Sequence, residues 1–205
     1  MLGNYGRAVS SRVFTPVARW LLRRGVGPNT VSVTGTVLST IAALTLLGTG
    51  QLVIGPIVLG LLLLTDSLDG VMAREGEGPT NFGAFLDSTL DRLADSAVFL
   101  GVLLYFVHFA PAEVVTPGSV ATAVCLALGL TVSYVRAKAE SLGRSASVGL
   151  AERADRLVVT LVATFAVGLG ASPWLLVFAL AALAAASVLT IYQRIRTVWQ
   201  QERRR

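Results

Sequence analysis

DSLDGVMAREGEGPTNFGAFLDSTLD, residues 66–91, sets four carboxylates, Asp66, Asp69, Asp87 and Asp91, between two strongly apolar stretches. At 3.6 residues per turn, Asp66, Asp69, Gly70 and Ala73 fall within roughly one hundred degrees of arc on one helix. Asp87 and Asp91, at i and i+4, share a face of the next helix, with Gly83 one turn earlier on the same stripe. EGEGPT between them turns the chain back on itself, so the two acidic faces can oppose one another at one end of an antiparallel pair.

Four acids held together repel, and burial adds a desolvation penalty, so a cation is the expected counterpart. Hard oxygen ligands select Mg²⁺, Mn²⁺ or Ca²⁺ over softer metals. Four carboxylates from two helices suit a two-metal site of the kind that clamps phosphate oxygens during a displacement. Pairing with nearby arginines such as Arg92 or Arg153 is the plainer reading, and it suits Asp95, one turn further on; two arginines cannot satisfy all four of the others. A divalent-cation transporter would use the same acids, but its relay belongs near the bilayer midplane, whereas these lie at the edge of the apolar segments.

Those segments dominate the chain. Of 205 residues, 54% are hydrophobic and 14% charged, with a mean hydropathy of +0.70, too apolar for an ordinary soluble domain. The expected fold class is an all-α integral membrane protein of one domain spanning 1–205. Six transmembrane helices are expected near 30–48, 52–74, 82–109, 118–139, 153–170 and 173–195, each about the length a bilayer requires. APAEVVTPG, residues 110–118, is expected as a turn. Residues 1–28 form an arm, 29–199 the catalytic bundle and 200–205 a basic tail. Within the arm, Arg12, Arg19 and Arg23 share one helical face and Val13, Val17, Trp20 and Leu21 another, the pattern of an amphipathic helix lying in the membrane interface. Arginine interleaved with apolar residues over positions 1–24 does not read as a signal peptide.

All 17 Lys and Arg residues fall in the arm, around residues 74–92, in 136–156, or from Arg194 onward. With six spans these regions share one side, which the positive-inside rule assigns to the cytoplasm. The expectation is a multi-pass cell-membrane protein with both termini and the acidic site cytoplasmic, in contact with membrane lipids and not with nucleic acid. Cys125, the single cysteine, sits in an apolar run and reads as packing. Small residues along the spans allow a homodimer.

Asp66, two residues, Asp69-Gly70, two residues, Ala73-Arg74, eight residues, Gly83, three residues, Asp87, three residues, Asp91: this pattern resembles, without departure, the signature of the CDP-alcohol phosphotransferase family. The resemblance implies an enzyme that moves a phosphatidyl or similar group from a CDP-linked donor to an alcohol and releases CMP. It implies two Mg²⁺ ions, with Mn²⁺ possible, on Asp66, Asp69, Asp87 and Asp91: Asp66 and Asp87 bridging both ions, Asp69 on one, Asp91 on the other and acting as catalytic base. Gly70, Ala73, Arg74, Thr80 and Gly83 are implied at the donor nucleotide. PNTVS, residues 28–32, reads by itself as a helix cap with open N–H groups; by resemblance, Asn29, Thr30, Val31 and Ser32 line the donor pocket. A non-catalytic scaffold would be expected to have lost one of the four aspartates, and all are present.

The signature reads the donor, so the acceptor has to be read elsewhere. Ser133, Arg136 and Lys138, then Arg153 and Arg156, then Arg194 and Arg196 bring cations to the same side from three segments. Such a cluster suits an acceptor that already carries a phosphate, although the positive-inside rule alone also supplies cations there. SYVRAKAE, GLAERADRL and YQRIRTVW are similar to the corresponding segments of bacterial family members whose acceptor is inositol phosphate. That likeness implies CDP-diacylglycerol and inositol phosphate as substrates, with Ser133, Arg136, Lys138, Arg153 and Arg194 at the acceptor phosphate. Arg136 departs from the lysine of that pattern. Glycerol 3-phosphate is the rival acceptor within the same chemistry.

Overall fold

The computed structural model describes residues 14–65, 67–76, 78–150 and 152–203, so Asp66 and the arm residues Arg12 and Val13 lie outside the described residues. Among the described residues all regular structure is helical: α1 (14–23), α2 (Pro28–Ala42) continued by a wider π-helical segment (Ala43–Leu47), α3 (Ile54–Thr65), α4 (Ser67–Glu75), α5 (Asn81–His108), α6 (Ala112–Ser141), α7 (Arg153–Gly168) and α8 (Trp174–Arg203). α5 lies against α2, the π segment and α6, and α8 lies along α6 and α7. The core they share is built from Phe99, Val102 and Phe106 of α5 with Leu47, Leu161, Leu176 and Leu180.

Among the described residues, four stretches are long and apolar enough to cross a bilayer: Pro28–Leu47, Ile54–Glu75, Ala112–Ser141 and Trp174–Arg203. The other two expected spans, 82–109 and 153–170, are present as the helices α5 and α7 but fall short of that length or apolarity. α5 carries Asp87, Asp91, Arg92 and Asp95 in its first half, and α7 has only 16 residues. Two helices also outrun their apolar runs. The expected turn at 110–118 is largely helix, because α6 starts at Ala112 and Pro117 lies inside it; one proline near a helix start removes a single backbone bond. α8 continues about two turns past Ile195 to Arg203.

The arm helix turns a stripe of Phe14, Ala18, Leu21 and Leu22 onto Leu68, Val71 and Met72 of α4, the i, i+4, i+7, i+8 spacing of one helical face. Val17 and Trp20 remain exposed beside Arg19 and Arg23. Arg19 also reaches α4, its Nε 2.7 Å from Glu75 Oε2. That hydrogen bond, together with the carboxylate's charge, pushes the arginine pKa further up. The helix bearing Asp69 is thereby braced by the arm.

Candidate active site

Three helix ends converge on the acidic signature. α2 begins at Pro28 with Gly27 as its N-cap and no side-chain cap, so Asn29 lies in the first turn and is not the capping residue its position suggests. Ser32, one turn in, hydrogen-bonds Asp69 of α4 at 2.5 Å and the Pro28 carbonyl at 3.2 Å. α5 opens on Thr80, whose hydroxyl accepts from the Gly83 N–H at 2.9 Å, satisfying one of the orphan donors of the first turn. A Cβ at Gly83 would stand 3.0 Å from Thr80 Oγ1 and 3.4 Å from Asn29 Oδ1. Asn29, Thr80 and Gly83 therefore meet at one spot. At Gly70, the nearest atom to a built Cβ is Arg74 Nη1 at 3.6 Å, so the guanidinium overlies the bare backbone. A cavity of about 300 Å³ beside this junction is lined by Thr30, Val31, Ser32, Asp69 and Arg153.

A larger cavity of about 1410 Å³ opens next to it. Asp87, Asp91 and Arg92 line it from α5, Ser133 and Arg136 from α6, Arg153 and Arg156 from α7, and Arg194 from α8. Much of its remaining wall is apolar, including Ile57, Leu130, Leu161, Val162 and Phe165, while Ser88, Thr89, Tyr134, Glu140 and Glu152 add polar groups. Asn29, Gly70, Ala73, Arg74, Thr80, Gly83 and Lys138 are not among the residues lining either cavity. Arg153 lines both and so links them.

The charges are interlocked. Arg153 places Nη1 2.8 Å from Asp91 Oδ1 and Nε 2.9 Å from Asp95 Oδ1. Arg92 donates to Ser133 Oγ and approaches Asp91 at 3.4 Å. Arg136 is engaged by Glu140 at 2.9 Å, an exposed i, i+4 pair of which both members line the larger cavity. Arg194 is only 3% exposed and donates to two backbone carbonyls, Val148 at 2.9 Å and Val132 at 2.6 Å. It thus ties α8 both to α6 and to the loop that leads into Arg153, while lining the cavity. Glu152, capping α7 through a reciprocal box with Asp155, fixes where that helix starts.

Among the described residues, no three of His, Cys, Asp and Glu close into a cage. Asp69, Asp87 and Asp91 are all-oxygen donors at the two cavities, the chemistry a hard divalent ion takes, and Asp66, the fourth of the signature, lies outside the described residues. Three of the site's groups carry little sequence signal. The sequence reads Asp95 as paired with Arg92 or Arg153 and Arg156 as one of the acceptor-side cations, yet Asp95 and Arg156 are buried, and Arg92, Arg153 and Arg156 all surround that one carboxylate. The i+4 spacing of Asp95 from Asp91 and the i+3 spacings of Asp95 from Arg92 and of Arg156 from Arg153 are the sequence hints.

An acidic helix pair beside a basic, half-apolar cavity is the arrangement of an enzyme acting on a phosphorylated lipid, and the sequence profile of the CDP-alcohol phosphatidyltransferase family matches residues 26–192. The chain belongs to that family and is a transferase with a membrane-protein fold. It is 42% identical over 195 residues to the phosphatidylinositol phosphate synthase of Mycobacterium tuberculosis, covering 94% of this chain and 88% of that protein. To the phosphatidylinositol phosphate synthase of Cutibacterium acnes it is 45% identical over 199 residues, covering 94% and 95%. Its fold is similar to the crystal structure of the Mycobacterium tuberculosis enzyme with CDP-DAG bound, with a TM-score of 0.85, 41% identity and coverage of 92% and 94%. The same enzyme in complex with manganese and citrate gives a TM-score of 0.84, at 41% identity and coverage of 91% and 88%.

Proposed function

We propose that this chain transfers the phosphatidyl group of CDP-diacylglycerol to inositol phosphate, giving phosphatidylinositol phosphate and CMP. The observation that carries the reading is one cavity that joins Asp87 and Asp91 to Ser133, Arg136, Arg153 and Arg194 on one side and to an apolar wall on the other. A lipid-linked diphosphate needs the apolar wall, and a phosphorylated alcohol needs the guanidinium forks. Relatives named phosphatidylinositol phosphate synthase at 42–45% identity support the choice of acceptor.

In this reading the diacylglycerol chains lie along Leu130, Leu161, Val162 and Phe165. The cytidine nucleotide rests on the junction of Asn29, Thr30, Val31, Ser32, Gly70, Ala73, Arg74, Thr80 and Gly83. Asp66, Asp69, Asp87 and Asp91 hold divalent ions, two Mg²⁺ by preference with Mn²⁺ able to substitute; when bound they supply charge neutralisation and polarisation of the diphosphate. Manganese in a related structure supports the metal class. Ser133, Arg136, Arg153 and Arg194, with Lys138 further out, receive the acceptor's phosphate. Asp91 takes the proton of the attacking inositol hydroxyl. The new bond forms from that oxygen to the β-phosphorus, the bond to the bridging oxygen breaks in line, and CMP leaves.

The same reading makes residues 1–205 a single domain: an interfacial arm over 1–28, a six-span bundle over 29–199 and a basic tail. It puts both termini and the site on the cytoplasmic side of the cell membrane and pairs the chain as a homodimer. The test is Asp91→Asn in protein shown to be folded by its melting curve: CMP release falls by at least about 100-fold, the lower range for loss of a general base. Near-normal turnover would remove Asp91 from its role, and CMP release independent of any alcohol would remove the transferase reaction.

A further inference from the structure

Behind the wall of the larger cavity sits a carboxylate that the reaction does not use. Asp95 is one turn beyond Asp91 on α5, is 6% exposed, and does not line the cavity. Three arginines that do line it converge on this acid: Arg153 Nε at 2.9 Å on Oδ1, with Arg92 Nη2 at 3.8 Å and Arg156 Nη2 at 3.9 Å from Oδ2. They come from two helices; Asp91 also draws Arg153 at 2.8 Å and Arg92 at 3.4 Å, but Asp95 contacts all three, and without its charge guanidiniums so close would repel more strongly. The neighbouring helix is shaped for the cluster. A Cβ at Gly129 of α6 would stand 3.4 Å from Arg156 Nε, so the bare backbone accepts the flat guanidinium.

We infer that Asp95 is a positioning residue for the acceptor. It holds Arg92, Arg153 and Arg156 as a preset layer whose outer edges meet the acceptor's phosphate, and so sets acceptor affinity without touching either substrate. The inference rests on the proposed reaction. The physical reason is preorganisation: a planar guanidinium locked by a buried carboxylate presents its remaining edge without losing rotamer freedom on binding. A second effect runs the other way, since the negative charge of Asp95 also weakens the field felt by an incoming phosphate. The two make opposite predictions for an uncharged replacement, which makes the idea decidable.

Asp95→Asn keeps the shape and one acceptor oxygen for Arg153 Nε but removes the charge that gathers the three arginines. Initial rates of CMP release are measured in purified protein, varying inositol phosphate and CDP-diacylglycerol separately, and inositol phosphate binding is measured by calorimetry without donor. The expected result is an acceptor KM raised roughly tenfold, about 1.4 kcal/mol, a parallel loss in calorimetric affinity, and a donor KM within about twofold of wild type. Asp95→Glu restores part of the acceptor affinity, and carries the test should Asp95→Asn not fold, with a smaller shift confined to the acceptor. An unchanged or lowered acceptor KM would overturn the inference, because Asp95 would then only damp charge. Donor and acceptor KM rising together would equally overturn it, as the sign of a merely structural residue. Should wild-type protein bind and use no inositol phosphate, the proposed function fails instead.

Discussion

Arg194→Lys separates two roles that its place in the cavity wall leaves superimposed. The guanidinium donates to the Val148 and Val132 carbonyls at 2.9 and 2.6 Å and is 3% exposed. Lysine keeps the charge, but a single ammonium on a flexible stem cannot reproduce the fork, so one of the two bonds is lost. A buried hydrogen bond from a charged donor contributes about 1.5–3 kcal/mol. For a chain of this size each kcal/mol corresponds to about 2–4 °C, so the melting temperature falls by about 3–12 °C. The assay is thermal unfolding in detergent, followed by acceptor and donor KM for the same preparation. The loop ending at Arg153 loosens with the lost tie, so acceptor KM rises alongside the drop in stability. If Arg194→Lys melts with wild type and only the acceptor KM rises, Arg194 serves the phosphate alone and its bonds to the Val148 and Val132 carbonyls do not hold α8 in place.

Three further outcomes follow from contacts elsewhere. A Cβ at Gly101 would lie 2.3 Å from the Ala43 carbonyl oxygen, a backbone atom of the π segment; Gly101→Ala therefore costs about 1–3 kcal/mol by overpacking, read as a lower melting temperature with donor and acceptor KM nearly unchanged. Thr80→Ala removes the cap of α5 that receives the Gly83 N–H at 2.9 Å, costing about 1 kcal/mol and raising the CDP-diacylglycerol KM, while Thr80→Ser retains both; equal behaviour of the two variants would refute the cap. Chelation of divalent ions abolishes CMP release, and Mg²⁺ or Mn²⁺ restores it; activity persisting in excess chelator would contradict the metal reading of the aspartates.

How much of this was legible without coordinates depended on which physical signal wrote each feature. Apolar runs announced α2, α3, α6 and α8, because long hydrophobic stretches mark candidate membrane crossings. They did not announce where those helices stop. α8 carries polar residues past its apolar run to Arg203, and α6 starts ahead of Pro117, since a helix continues as long as its backbone bonds close, whatever the side chains face. The π segment at Ala43–Leu47 has no proline or charge to betray it; it sits where Gly101 lets α5 approach. Asp87 and Asp91 on one cavity wall follow from helical spacing; Ser32 was placed at the donor side by resemblance alone, and its bond to Asp69 comes from the packing of α2 on α4. Arg194 and Arg136 resisted such reading. The number of cations on a face says nothing of whether a guanidinium also engages a carbonyl, as Arg194 does, or a neighbouring glutamate, as Arg136 does. Asp95 was legible as an acid paired with arginine, but its place behind the cavity wall required the packing of α5, α6 and α7.

The most direct test of the central claim offers the purified protein radiolabelled inositol phosphate, glycerol 3-phosphate or free inositol with CDP-diacylglycerol and Mg²⁺, and identifies the lipid product. The account predicts label in phosphatidylinositol phosphate, stoichiometric with CMP, and little from the other two acceptors. Equal or better use of glycerol 3-phosphate or free inositol would contradict it.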